Sequence, residues 1–463
     1  MQRFTHYLPL GIVILLGCTS HNTVPLEITV FRGVDVISME SEAILLDQTV
    51  VVKGDAIHEM GSSHEIQTAK SATVIDGTGL YLMPGLAEMH AHVPSGDSPP
   101  QDQIEDILFL YIANGVTTIR GMLGSDYQIP LAQEIARGNI LGPNFYVAAP
   151  SLNGSTAPDT TSAEQLVREH KIAGYHLQKI HPGVQLDVWN HMVRISKEVG
   201  LTYGGHVPQD VGLVHAINTG ISTIDHLDGY VQAIASDDVV SQINTGQPVN
   251  LEGIVNAVDQ DKIAEIVQLS LENDVYVVPT LYLWENLYGI TDPNQFLVQP
   301  EMRYVSAAQR EAWVRQAAAG PRDRPEVLGV FFGLRKKILK ALSDAGVGIL
   351  MGTDSPQMFN VPGFALHREL ELLRESGMSN FEILRSGTSA VARYVNSHLG
   401  LDGNFGTIAP GQRADLLLLE SNPLEDLSNL KDRVGVMVRG RWIPRREIDD
   451  GLRLLAEKHS SGG

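Results

Sequence analysis

The stretch Tyr81-Leu82-Met83-Pro84-Gly85-Leu86-Ala87-Glu88-Met89-His90-Ala91-His92 decides how this chain is read. An apolar run, broken once by Pro-Gly, ends in His-x-His. Side chains of a β-strand alternate between its two faces, so both imidazoles share one face. Two neutral imidazoles so placed can bind one divalent metal ion. Taken alone the motif is weak, because an incidental surface pair of histidines has the same spacing.

Four later positions change its weight. Lys179 ends His176-Leu177-Gln178-Lys179, and His206 ends Leu201-Thr202-Tyr203-Gly204-Gly205-His206. His226 ends Ile221-Ser222-Thr223-Ile224-Asp225-His226, and Asp354 ends Val347-Gly348-Ile349-Leu350-Met351-Gly352-Thr353-Asp354. Each is a polar, potentially metal-binding residue at the C-terminal end of a strand-like segment. On a βα barrel that is the face where active sites form.

Outward from these motifs, the chain from about Met83 to Asp402 alternates apolar strands with amphipathic helices. Val116-Thr117-Thr118-Ile119, then Ala132 to Arg137, then Phe145-Tyr146-Val147-Ala148 is one such succession. The alternation predicts βα units and a parallel sheet, and a barrel of about 250 residues or more fits the length. Short alternating strands precede it (Ile28-Thr29-Val30-Phe31, Thr49-Val50-Val51-Val52, Thr73-Val74-Ile75) and follow it (Ala414 to Leu419, Val434 to Val438). The fold class expected is α/β: a (β/α)8 TIM-like barrel (83–402) beside a small β-sandwich built from both ends (18–82 and 403–447). Residues 448–463 are left as a C-terminal tail. The proline-punctuated stretch Tyr288 to Pro325 is expected to be an irregular insertion after a strand.

Composition narrows the class. The chain has 463 residues, 34 basic against 54 acidic, for a net charge of −20. That balance repels phosphate backbones and excludes nucleic-acid binding through basic patches. Hydrophobic residues at 43% and charged residues at 19% suit a globular protein with a large core. Cys18 is the one cysteine, which excludes an intrachain disulfide framework and a cysteine-ligated metal cluster, while 16 histidines leave a His/carboxylate site open.

With these motifs in hand, the sequence resembles the amidohydrolase superfamily, and within it the prolidase-like and imidazolonepropionase-like branch. The likeness runs from about Glu27 to Ile443. Gly79 to His92 is similar to the family's entry into its first barrel strand. Gly406-Thr407-Ile408-Ala409-Pro410-Gly411-Gln412-Arg413-Ala414-Asp415-Leu416 is similar to its re-entry into the β-sandwich. The resemblance implies two divalent metal ions, zinc first, though His/carboxylate sites also accept manganese, iron or cobalt. It places one ion on His90, His92 and Asp354 and the other on His206 and His226. Lys179, carboxylated on its amine by carbon dioxide, would bridge them.

The chemistry makes sense of those residue types. A carbamate turns the lysine cation into an anionic oxygen ligand, which a divalent ion prefers to an ammonium. Two metals about 3.5–4 Å apart can activate a shared hydroxide and polarise a carbonyl. Asp354 can take a proton from the water and pass it to the departing amine. The reaction implied is hydrolysis of an amide in a dipeptide, an N-acyl amino acid or a related small molecule. A mononuclear deaminase or cyclic-imide hydrolase is the alternative enzyme, although such deaminases need no lysine at the position of Lys179. An inactive surface protein on the same fold is a further alternative, opposed by the filled set of six ligand positions.

Other residues carry open readings. Lys179 without its neighbouring motifs would read as a solvated lysine paired with a carboxylate. His181 can touch substrate or merely cap its strand. Tyr230, four residues after His226, can orient a substrate carbonyl or pack in the core, and Arg120 can pair with a substrate carboxylate or form a buried ion pair. His191 and His215 fall in helical patterns, and His367 and Glu369 are read as structural. Many dipeptidase-like relatives carry a histidine after the third barrel strand. Ala149-Pro150-Ser151-Leu152-Asn153-Gly154-Ser155-Thr156 has none, which puts an Xaa-Pro or Xaa-Arg dipeptide in doubt. Glu88 stands where the family usually has aspartate.

At the N-terminus, Arg3 precedes a ten-residue apolar run from Tyr7 to Leu16. The run is too short to cross about 30 Å of hydrocarbon, but it suits a signal-peptide core. Leu15-Leu16-Gly17-Cys18 resembles the lipobox of bacterial lipoproteins, which implies removal of 1–17 and acylation of Cys18. A buried apolar segment containing a cysteine is the plain alternative. The expectation is an exported enzyme held on the bacterial cell envelope, at the periplasm-facing outer membrane, by its lipid alone. Its partners would be a small amide or dipeptide and no nucleic acid, with self-association left open.

Overall fold

The computed structural model describes residues 27–96, 98–289, 292–319 and 323–460. The first strands are β1 (Ile28–Ile37), β2 (Ile44–Lys53), β3 (Ala56–Ser62), β4 (Thr73–Asp76) and β5 (Tyr81–Pro84). Eight short strands follow with helices between them: β6 (Leu86–Ala91), β7 (Val116–Gly121), β8 (Asn144–Val147), β9 (Gln178–Ile180), β10 (Tyr203–Gly205), β11 (Thr223–Asp225), β12 (Tyr276–Val278) and β13 (Gly348–Ile349). The last strands are β14 (Leu416–Leu419), β15 (Arg433–Val438) and β16 (Arg441–Pro444).

The two ends of the chain share one sheet, ordered β16-β15-β14-β5-β1-β2-β3, with β4 beside β1. The junction is antiparallel, with Leu416 opposite Pro84 and Leu418 opposite Leu82. By pairing this is a single sheet rather than the two of the expected sandwich. The reason lies in β1, whose ladder with β2 shifts register twice, between Arg32 and Val34 and again between Val34 and Val36. Such bulges bend a strand. The first half of β1 pairs with β4 and the second half with β5. Phe31, Val36, Val50, Leu82, Leu416 and Met437 from both chain ends then meet in one apolar cluster.

Gly85 carries the chain from β5 into β6, and a Cβ there would lie 2.2 Å from the Thr117 hydroxyl oxygen. Only glycine lets the chain pass so close to Thr117 of β7. From β6 to β13 the pairing is parallel, in a three-stranded sheet (β6-β7-β8) and a five-stranded one (β13-β12-β11-β10-β9). Backbone hydrogen bonds cross both gaps. His176 N–H donates to Val147 O at 2.9 Å and Ala149 N–H to Leu177 O at 2.7 Å; Met89 N–H donates to Met351 O at 2.8 Å and Asp354 N–H to His90 O at 2.9 Å. The architecture is thus mixed α/β, with a parallel set of strands wrapped by helices.

Two expectations change. Much of Tyr288 to Pro325 is helical among the described residues, in Asn294–Leu297, Pro300–Tyr304 and Ala307–Ala319. Pro300 and Pro325 stand in the first turns of their helices, where a missing N–H costs nothing. Residues 448–463, read as a tail, are helical to Ser460 within Arg445–Ser460, with Ile448 and Leu455 buried. Cys18 and the apolar run before it lie outside the described residues. No helix among the described residues is long and apolar enough to cross a membrane.

Candidate metal centre

The side chains gathered at the C-terminal ends of the parallel strands are held by unusual backbone. His226, Thr280 and Asp354 have φ of 64°, 43° and 63°, all in the left-handed region. Non-glycine residues there cost about 1–3 kcal/mol each, and persist only where the surroundings fix them. These turns follow β11, β12 and β13, and bring His226 and Asp354 to His90 on β6 and His92 just after it.

The resulting cluster is tight. His92 Nε2 lies 2.6 Å from Asp354 Oδ1, and His90 Nε2 lies 3.7 Å from the same oxygen. His226 Nε2 is 3.7 Å from Asp354 Oδ2, and Lys179 Nζ is 3.3 Å from His90 Nε2. The rings of His206 and His226 lie 4.5 Å apart, and His181 stacks on His206 at 5.0 Å. One potential ligand atom from each of His90, His226 and Asp354 falls within 4.8 Å of the others. That trio draws from both of the ligand sets expected from the sequence, so the six residues form one continuous cluster.

The outer nitrogens are fixed by neighbours. His206 Nδ1 pairs with Asp228 Oδ2 at 2.7 Å, His226 Nδ1 with Thr280 Oγ1 at 2.7 Å, and His181 Nδ1 with Ser151 Oγ at 2.6 Å. His90 Nδ1 lies 2.8 Å from Asp225 Oδ2. A hydrogen bond at Nδ1 leaves Nε2 of His206 and of His226 available as a ligand atom, the usual arrangement of metal-binding histidines. His226 Nε2 is buried and has no hydrogen-bond partner. Such an orphan acceptor is costly unless something is bound there.

Charge states agree with that reading. Burial pushes His90 and His226 well below the ordinary imidazole range, so both are neutral near pH 7 and able to serve as ligands. Burial and the nearby Lys179 and His206 lower His181 to about 3. Burial also lowers the Lys179 amine, against the pull of Asp225 and Asp354. Burial would raise Asp354, but the imidazoles of His90 and His92 outweigh it and hold the carboxyl below the usual range. Glu88 is pushed by burial to about 8 while accepting hydrogen bonds from Thr353 N–H (2.7 Å), Thr353 Oγ1 (2.7 Å) and His90 N–H (3.1 Å). It ties β6 to the turn that carries Asp354.

Two expected substrate contacts are withdrawn. Arg120 is buried within the parallel strands, donating to Met89 O at 2.7 Å and pairing with Asp225 at 3.2 Å. Its charge is already satisfied there. Tyr230 begins the helix Tyr230–Ala233, is fully buried, and bonds Ser270 Oγ at 2.9 Å. Ser270 also donates to Ile266 O at 2.8 Å, so it keeps a partner without the tyrosine. Tyr230→Phe is therefore expected to cost about 1 kcal/mol of stability, read from a denaturant midpoint, and to leave KM unchanged. His191 and His215 bond Glu164 and Asn190 on helical faces outside the cluster. Glu369 accepts from Leu281 N–H and Tyr282 N–H, a structural cap on the helix Leu281–Gly289.

Asp225, Asp228 and Thr280 escaped the sequence reading. The signal for the two aspartates was present, one immediately before His226 and one two residues after it. Thr280 carries no such signal, because its role depends on the turn after β12.

Comparison with known proteins agrees with this picture. The sequence pattern of the Amidohydrolase family matches residues 81–443. The enamidase of Eubacterium barkeri is 34% identical over 76 residues, 16% of this chain and 20% of that protein. The match thus spans about a fifth of that relative. Among solved structures, the bottromycin amidohydrolase superposes with a TM-score of 0.70 at 21% identity, covering 95% of this chain and 91% of that one. A Xaa-Pro dipeptidase with bound methionine superposes with a TM-score of 0.62 at 18% identity, covering 90% and 100%. At such identities the superpositions speak to the fold alone, while the match over 81–443 decides the family: this chain belongs to the amidohydrolases.

Proposed function

We propose that the protein is a metal-dependent hydrolase that cleaves a carbon–nitrogen bond in a dipeptide, an N-acyl amino acid or a related small amide. The observation that carries this reading is the inward-facing, unpartnered Nε2 of His226 beside Asp354, Lys179 and three further histidines. The donor set of imidazoles, a carboxylate and a buried amine fits two divalent ions, zinc first. His90, His92 and Asp354 would hold one and His206 and His226 the other, with Lys179 as the bridge after its amine has taken up carbon dioxide. Burial favours that modification, since the neutral amine is the nucleophile that carbon dioxide needs. The enamidase and dipeptidase relatives bear the names of enzymes of this reaction class.

Bound metal supplies an acidified water and a polarised carbonyl. The remaining work falls to the chain. Asp354, ionised and 4% exposed, accepts the water proton on a carboxylate oxygen and returns it to the leaving nitrogen. Asp228 and Thr280 hold the rings of His206 and His226 by hydrogen bonds at Nδ1, and Asp225 lies beside His90 Nδ1. The frame we infer is a closed (β/α)8 barrel, supported by the backbone bonds that cross both gaps between the parallel sheets. Residues 83–402 form it, and both chain ends form the accessory β domain.

Metal analysis of the purified protein, with hydrolysis of a dipeptide and N-acyl amino acid panel, tests the proposal. About two ions per chain and turnover of an amide support it. A metal-free chain that cleaves none of the panel, even after metal loading, overturns it.

We also propose that the mature protein is exported and tethered through acylated Cys18. Cys18→Ala is expected to move the protein from the membrane fraction to the soluble fraction on cell fractionation. Persistent membrane partitioning of that variant would refute the tether.

A further inference from the structure

Beside the cluster lies a cavity of about 570 Å³, walled by the loops that follow β9, β10 and β11, by the helix Leu213–Thr219, which brings the polar His215 and Asn218, and by the helices Tyr230–Ala233, Asp237–Asn244 and Leu251–Asn256. Its size lies within the range of about 300–1,000 Å³ that small-molecule pockets occupy. Val207, Val211, Leu213, Val240, Ile243 and Ile254 make its apolar wall. Pro182 and Val207, each next in sequence to a clustered histidine, are among its lining residues. Asp228 belongs to both places, lining the cavity while its carboxylate pairs with His206 Nδ1. No lysine or arginine is among the described lining residues.

We propose that this cavity is the specificity pocket of the enzyme and takes an uncharged alkyl or aryl chain attached to the carbonyl of the scissile amide. The inference rests on the hydrolase reading above and names its substrate class. Concavity, apolar walls and a shared residue with the cluster give the chain a place to sit while its carbonyl faces the metal ligands. Charge gives the second restriction. Asp228 is already turned to His206 and no lysine or arginine lines the cavity, so a tail ending in carboxylate finds no fixed cation there to pair with. Ala149 to Thr156 likewise offers no histidine to bind one. The favoured substrate is therefore an amide of a hydrophobic acid, not one whose acyl chain is anionic.

Binding is separated from turnover by probing with methyl ketones, which carry the carbonyl but no carbon–nitrogen bond. Calorimetry on the metal-loaded protein, with tails from ethyl to phenylbutyl, is expected to show affinity rising about fourfold per methylene until the cavity is filled. Ala233→Phe and Val240→Trp, which place bulk in the cavity from two different helices, are expected to flatten that dependence. Two variants guard against one failing to fold, with wild-type circular dichroism as the check. Flat affinity across the wild-type series, or a dependence untouched in both folded variants, overturns the pocket. Hydrolysis of amides with the same tails is assayed in parallel. If none is cleaved while the tail dependence stands, the catalytic reading falls and the pocket does not.

Discussion

Asp354→Asn is expected to lower kcat by about 10²–10⁴-fold, the usual contribution of a positioned acid–base group. The exchange is nearly isosteric. Asparagine also tolerates a φ of 63° better than most residues, so the turn after β13 should survive. What is lost is the capacity to accept a proton and return it. The amide still offers one oxygen toward His92, whose Nε2 is 2.6 Å from the aspartate oxygen in the native chain. Metal content should therefore fall less than kcat. Measurement of both on the same preparation distinguishes proton transfer from loss of a ligand. The direction of the Asp354 shift adds a pH signature. A carboxyl held below its ordinary range stays ionised through mildly acidic pH, so its protonation should limit wild-type kcat only below the ordinary carboxylate range. A kcat within about threefold of wild type would remove Asp354 from the proton path.

The cluster was legible in the sequence because its logic is periodic. A strand's alternation joins His90 to His92, and Lys179, His206, His226 and Asp354 each close an apolar strand. None of these inferences needs a distant contact. Tyr230 shows where that logic stops. His226 and Leu227 both turn through positive φ, and a helix begins at Tyr230, so counting from His226 no longer predicts a direction. Its side chain follows the helix into the core instead of the loop toward the site. Arg120 ends an apolar strand just as the clustered residues do. Only the reach of its side chain to Thr223 and Asp225 on β11 shows that its charge is spent inside.

The prolines between Tyr288 and Pro325 mislead for a related reason. Proline disrupts a helix interior but suits its first turn, and the sequence alone does not say which position each one holds. The accessory sheet poses the opposite problem. Its strands were visible, but whether they stack as two sheets or join as one depends on the bulges of β1. Alternation carries no mark of a bulge.

Lys179→Ala is expected to be the most damaging change to metal binding. Outer partners of metal ligands typically account for about 10–100-fold in affinity, and removal of a bridging ligand should exceed the upper end of that range. Equilibrium dialysis against metal buffers would read the loss directly. The variant also leaves a buried space beside His90, where the amine now sits 3.3 Å from Nε2. A short carboxylate such as propionate can supply the missing anionic oxygens, so part of the metal affinity and activity should return when it is added. An uncharged molecule of similar size, such as propionamide, should not restore them. Stability without metal gives an independent check, and its sign is fixed by burial. The folded-state amine has a lowered pKa, so the unfolded chain binds the proton more readily. Metal-free wild-type protein should then gain stability as pH rises from the folded-state pKa toward 10.5, the ordinary lysine value. Lys179→Ala should lose that part of the slope. If the variant binds two ions as tightly as wild type and propionate has no effect, Lys179 is a buried lysine and not a bridge.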